Sequence, residues 1–170
     1  MQKKARKKMT KDTVPEGFSA ALALVDLVPV VFFGLSAVRA GSLLHSALFV
    51  AGAVVCLLSG AVKVLWKGIA AVTRRNIWPL FVQMRVLMPA GFALIAAALI
   101  VHRADLSGAA ILAGVTGFPA CVFFALGALG MVLMTVFAFR LDAGDVRANW
   151  VEQITNGIAQ LCIFIGLLLV

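Results

Sequence analysis

Charge, acid and histidine are scarce in this chain. Charged residues make up 13% of its 170 residues, with seven acids and two histidines. The three cysteines, Cys56, Cys121 and Cys162, are odd in number, fall inside apolar runs and match no metal-ligand spacing. They read as buried free thiols acting as small hydrophobes. The chain has no phosphate loop, no nucleophile motif and no separate soluble catalytic domain. An enzyme is therefore the least supported class, and the sequence names no cofactor.

What the chain has instead is apolar length. Hydrophobic residues are 63% of the total and mean hydropathy is +1.07. Ordinary globular domains are about 45–50% apolar, and a soluble domain of this size has too little interior to hide the excess. Several runs exceed the ~18 apolar residues that mark a membrane span. They are long and continuous, unlike the ~10-residue alternating segments of a membrane β-barrel. The expected fold is all-α: a polytopic membrane bundle of five transmembrane helices.

The formal net charge is +8, and six of the fifteen basic residues lie in the first eleven positions, MQKKARKKMTK. Residues 1–13 read as a basic cytoplasmic arm, since Lys and Arg stay on the cytoplasmic side. The arm also suits anionic lipid headgroups. No aromatic residue is interleaved for base stacking, so nucleic acid is not an expected partner. A signal peptide is disfavoured because the following apolar stretch is longer than about 7–15 residues and contains Asp26.

Residues 14–170 form the expected membrane domain. Spans are placed at about 14–38, 43–66, 78–101, 118–139 and 150–170. Thr13-Val-Pro-Glu16 fits a capping box, with Pro15 early in the first turn. Residues 39–42 form a turn and residues 67–76 a basic link. The stretch from Leu106 to Phe139 is apolar for 34 residues, whereas one span needs ~20. We read a fourth span from Phe118, preceded by a lead-in at 107–116, a re-entrant half-helix tucked against protein. Five spans place the N-terminus in the cytoplasm and the C-terminus outside, in the plasma membrane. The inside segments then hold the first six basic residues with Lys67, Arg74, Arg75, Arg140 and Arg147, and the outside links only Arg39 and Arg103. Trp66, Trp78 and Trp150 fall at cytoplasmic span ends, where Trp favours the headgroup region.

The fifth span carries an unusual pattern. Asn149, Glu152, Gln153, Asn156 and Gln160 fall within roughly a 100° arc of a helix turning ~100° per residue. The stripe runs about 16 Å along the axis, roughly half the hydrocarbon thickness. Lipid cannot satisfy amides and carboxylates, so the stripe must face protein or water. It is either interhelical hydrogen bonding or the wall of a cytoplasm-facing cavity.

Charges inside other spans sharpen the second reading. Asp26 lies about 18 Å from a Thr13 cap, near the midplane, with Arg85 on the third span as its expected partner. Lys63 and Glu152 are shallower, so two acids and two bases can neutralise one another. Pro29 and Pro89 each lie one turn beyond a charge and disturb the helix there.

The expected site is a polar cavity lined by Asp26, Arg85, Glu152, Asn156 and Gln160, for a small polar solute or ion. The leading function is a small transporter or channel-like protein. The rivals are a non-catalytic subunit of a membrane complex, and a membrane enzyme acting on a lipid or phosphate headgroup near Asp142 and Asp145. His45 and His102, at the outer ends of adjacent spans, are weak metal or haem candidates that no Cys completes, although Asp105 is near. Small residues recur at packing distances, as in Gly127 with Gly130 and Ala110 with Gly114. Five short spans leave little internal room, so a symmetric homodimer or a partner membrane subunit is expected.

Overall fold

The computed structural model describes residue 14 and residues 19–104, 107–141 and 145–170. The basic arm, the Thr13-to-Glu16 capping box, Asp105, Leu106 and Asp142 lie outside the described residues. The described chain is helical throughout, with five helices long and apolar enough to cross a membrane. The protein is a multi-pass helical membrane bundle.

The first helix, α1, is Ala20–Leu44, and its cap is Ser19, whose hydroxyl accepts from the Leu22 N–H at 3.2 Å. Pro29 lies within it without ending it. The reversal expected at residues 39–42 falls later, at His45, which takes a left-handed conformation with φ 48°. The run from Arg39 to Leu44 has no proline, and Gly41 sits against Val50 of the next helix, so packing carries α1 past the weak turn signal. Ser46 then caps α2, Ala47–Thr73. This helix ends at Thr73, seven residues beyond the expected end at Trp66, with left-handed Arg74 following it.

The third span is two pieces, α3 Trp78–Val82 and α4 Met84–Val101, joined at Gln83. The apolar stretch before the fourth span resolves into α5, Gly108–Thr116, and α6, Ala120–Arg140. Nine residues rise only about 14 Å, so α5 cannot cross a bilayer, in line with one span plus a short preceding helix. The last helix, α7, is Val146–Leu168, capped by Asp145, which accepts from the Arg147 N–H at 3.2 Å.

The five long helices pack as a row rather than as a closed ring, in the order α4, α2, α1, α7, α6. The first helix in sequence is therefore central in space. Small residues set the close contacts. A Cβ on Gly52 of α2 would lie 2.7 Å from the Gly91 carbonyl oxygen of α4. At the α6–α7 contact, a Cβ on Gly130 would lie 2.5 Å from that of Ala159. Gly127 meets Ile163 of α7 in the same way, so both members of the Gly127/Gly130 pair serve one interface.

One end of the row gathers the start of α1, the end of α2, the start of α3 and the start of α7. There Leu22, Trp66 and Ala70 form a buried cluster against which Val14, Leu80, Phe81 and Trp150 pack. We call this the basic end, since Arg74, Arg75 and Arg147 sit there too. Trp66 is 2% exposed, and its indole N–H donates to Asn76 Oδ1 at 3.0 Å. It is a core residue of the bundle rather than a lipid-facing anchor. At the opposite end, the Arg39 side chain donates to the Leu167 carbonyl at 3.2 Å and ties α1 to the last turn of α7.

Candidate functional site

Asp26 and Lys67 define the site. Asp26 Oδ2 lies 2.8 Å from Lys67 Nζ, and the two residues are 3% and 4% exposed. Asp26 is seven residues into α1 from Ser19, and Lys67 is six residues from the end of α2. At 1.5 Å per residue both lie about 10 Å in from the basic end, so the two helices bring opposite charges to one level. The true cap at Ser19 makes Asp26 shallower than a Thr13 cap implies.

Arg85 is not the partner. It is exposed, and its guanidinium sits over the Phe81 ring, 5.6 Å from the centroid. The reason is the length of α2. A helix ending at Trp66 leaves Lys67 in a loop, whereas the extra two turns carry it into the bundle beside α1. The apolar run Gly68-Ile-Ala-Ala-Val72 directly after Lys67 was the available signal.

Glu152 and Lys63 are both half-buried and stand near enough to Lys67 to act on it through space. Lys63 is one turn from Lys67 on α2. Glu152 is on α7, two residues after Trp150, which packs on the Leu22–Trp66–Ala70 cluster flanking the pair. Asp26, Lys67, Lys63 and Glu152 come from three helices and sum to zero formal charge, which suits a region of low dielectric where unpaired charges are expensive.

The polar stripe of α7 splits by environment. Asn149 and Gln153 are buried, at 7% and 4% exposure. The Asn149 side chain donates to the Asp145 carbonyl at 2.9 Å, a local bond at the helix start. Gln153 faces α1, and its Oε1 is buried without a hydrogen-bond partner among the described residues. Glu152, Asn156 and Gln160 remain half-exposed. Gln160 Nε2 approaches Met131 Sδ of α6 at 3.7 Å.

Helix periodicity orders these positions. The α7 face toward α1 holds Gly157, beside Val28 and Pro29, and Phe164, whose ring lies 6.1 Å from that of Phe32. The face toward α6 holds Ala159, Ile163 and Gly166. At ~100° per residue, Asn156 and Gln160 fall on the narrower arc between those faces, Gln160 still reaching Met131 of α6, and Glu152 falls at the α6 side of that arc, between Ala159 and Ile163. The wider arc holds Ile154, Ile158 and Leu168, at 50%, 58% and 55% exposure. The polar and apolar exposed sides of α7 are therefore segregated, the apolar one suited to lipid.

Two open grooves are lined almost wholly by carbon. One lies between α1 and α7, along Val25, Val28, Phe32, Gln153 and Ile158. The other lies against α5, α6 and α7, along Val115, Cys121, Phe124, Ala128 and Ile163. Neither is the polar cavity expected from the sequence. Another polar contact sits deeper, where the third span breaks. Ser59, fully buried, donates to Gln83 Oε1 at 3.1 Å, and Gln83 Nε2 donates to the Ser59 carbonyl at 3.0 Å. Sequence reading passed over this reciprocal pair because a lone Ser in an apolar run carries no visible signal.

His45 and His102 each follow the end of a helix, α1 and α4. Among the described residues, no group of three or more His, Cys, Asp or Glu is placed to hold a metal ion. Asp145 is occupied as the cap of α7. Compared with protein-family models, with curated proteins and with solved structures, the chain matches none.

Proposed function

We propose that the chain is a small transporter or channel-like protein of the plasma membrane, with a polar path for a small solute or ion opening at its basic end. The observation that supports this reading is the half-exposed arc of Glu152, Asn156 and Gln160. It lies on the opposite side of α7 from the apolar arc and begins at the basic end, the end at which the Asp26–Lys67 pair is buried. Half-exposed amides and a carboxylate at these depths require water or another polar surface. Arg85, exposed on α4, would serve at the mouth of the path. The basic end faces the cytoplasm by the Lys and Arg distribution, the C-terminus lies outside, and the 1–13 arm rests on anionic headgroups.

A second reading has a specific observation of its own. The row leaves α4 and α6 at its two ends instead of packed together, so a second copy or a partner subunit could close it and cover the polar arc. A chain with Asn156→Cys or Gln160→Cys, in a background lacking the three native cysteines, separates the two. Under the transport reading a membrane-impermeant thiol reagent reaches both positions from the cytoplasmic side of sealed vesicles. Complete protection of both, in a chain that purifies as an oligomer, would replace transport with the subunit reading.

A further inference from the structure

The groove between α1 and α7 opens on the apolar side of α7, away from Asn156. It runs from Val25 to Phe32, about 10 Å along α1, with Gly157 and Leu161 across from them. Gly157 keeps it open, since the nearest atom to a Cβ there is Val28 Cγ1 at 3.5 Å. Ile154 and Ile158 border it on the side suited to lipid, so whatever enters comes from the bilayer. Two acceptors at the basic end of this groove lack donors. Gln153 lines it at 4% exposure, and Oε1 has no hydrogen-bond partner among the described residues. Val25 lines it from α1, and Pro29 has no N–H to give the Val25 carbonyl. Both residues lie about one turn before the Val28–Gly157 contact, hence at one level. A buried acceptor without a donor is costly, and a ligand that brings the donor removes that cost. The hydroxyl of the other groove, on Thr116, already donates to the Leu112 carbonyl at 2.7 Å.

We propose that the α1–α7 groove binds a neutral single-chain lipid with a hydroxyl head. The O–H donates to Gln153 Oε1, with the Val25 carbonyl beside it, and the alkyl chain lies along Val28, Phe32 and Leu161. Depth selects the head. Gln153 is eight residues past the Asp145 cap, about 12 Å in from the basic end. Hydrocarbon at that depth excludes a phosphate or ammonium head, whereas a hydroxyl is small, uncharged and supplies the missing donor. Volume selects the tail. The groove holds about 240 Å³, room for about eight water-sized groups at ~30 Å³ each. Over ~10 Å of helix that is one file of atoms, not two. The site goes beyond the transport reading and does not depend on it, because Asn156 and Gln160 are on the other side of α7.

The test uses the full chain in phosphatidylcholine vesicles with hexadecanol carrying a photoactivatable diazirine on its chain. The control is the methyl ether of the same probe, which has no donor. After illumination, mass spectrometry locates the labelled peptides. The alcohol is expected to label α1 and α7 around Phe32 and Leu161 several-fold more than the ether does, and plain hexadecanol should displace it. Gln153→Leu should lower that labelling at least threefold. Gly157→Leu, which fills the groove, should remove it. Equal labelling by alcohol and ether, or labelling spread evenly over the lipid-facing helices, means bulk bilayer contact only and overturns the proposal. A loss of less than threefold in Gln153→Leu does the same. Gln153→Leu removes an unsatisfied buried acceptor, so it is expected to fold. Should either variant fail to fold, the comparison of alcohol with ether on the wild type decides alone.

Discussion

Replacing Lys67 with Met keeps most of the side-chain volume and removes its charge. Asp26 then remains, 3% exposed, without the cation 2.8 Å away. Coulomb attraction at that separation is about 6 kcal/mol for an effective dielectric of about 20. The full amount cannot appear as lost stability, because burying the two groups also strips them of water. Breaking a buried pair by removing one partner costs about 3–5 kcal/mol, so we expect a loss of about 3–5 kcal/mol.

The double variant Asp26→Leu/Lys67→Met removes both charges and should recover most of that loss, since an apolar pair of similar volume often matches a buried ion pair. Equilibrium unfolding in mixed micelles of mild and denaturing detergent would measure all four members of the cycle. A loss below about 1 kcal/mol for Lys67→Met, or a double variant as unstable as the two single variants summed, would refute the reasoning. Recovery in the double variant would mean that stability alone does not explain why the pair is there.

Three further expectations follow from the packing. Gly52→Ala places its Cβ 2.7 Å from the Gly91 carbonyl oxygen and should cost about 1–3 kcal/mol by overpacking, read in the same unfolding assay. Gly157→Ala meets only Val28 at 3.5 Å and Pro29 at 3.9 Å, so it should be neutral or stabilise the helix by up to about 1 kcal/mol. Gln83→Leu breaks the reciprocal bonds with buried Ser59. Its cost should be about 1 kcal/mol, with faster hydrogen exchange around Gln83, where the third span is already broken.

The sequence by itself determined the class, the number of spans and much of the polar pattern. Uninterrupted apolar length is a property of local composition, and the bilayer thickness converts it into span count without any knowledge of neighbours. The 34-residue run before Arg140 was legible as one span plus a short lead-in for the same reason. The stripe on α7 was legible because helix periodicity puts spaced residues on one arc wherever the helix sits.

Only the tertiary structure decided which charges meet. Asp26 pairs with Lys67 rather than Arg85 because α2 runs on to Thr73 and α1 is central in the row. Arg74 ends that helix in a left-handed turn that no proline or glycine announces. The partition of the stripe was likewise invisible. Gln153 is buried while Asn156 is half-exposed because α1 and α6 approach α7 from two particular directions. Those directions are set by close contacts such as Gly130 on Ala159 and Gly157 beside Pro29. Apolar length fixes that a helix lies in the membrane, but only packing fixes its neighbours, and a buried charge takes its character from the neighbour it is given.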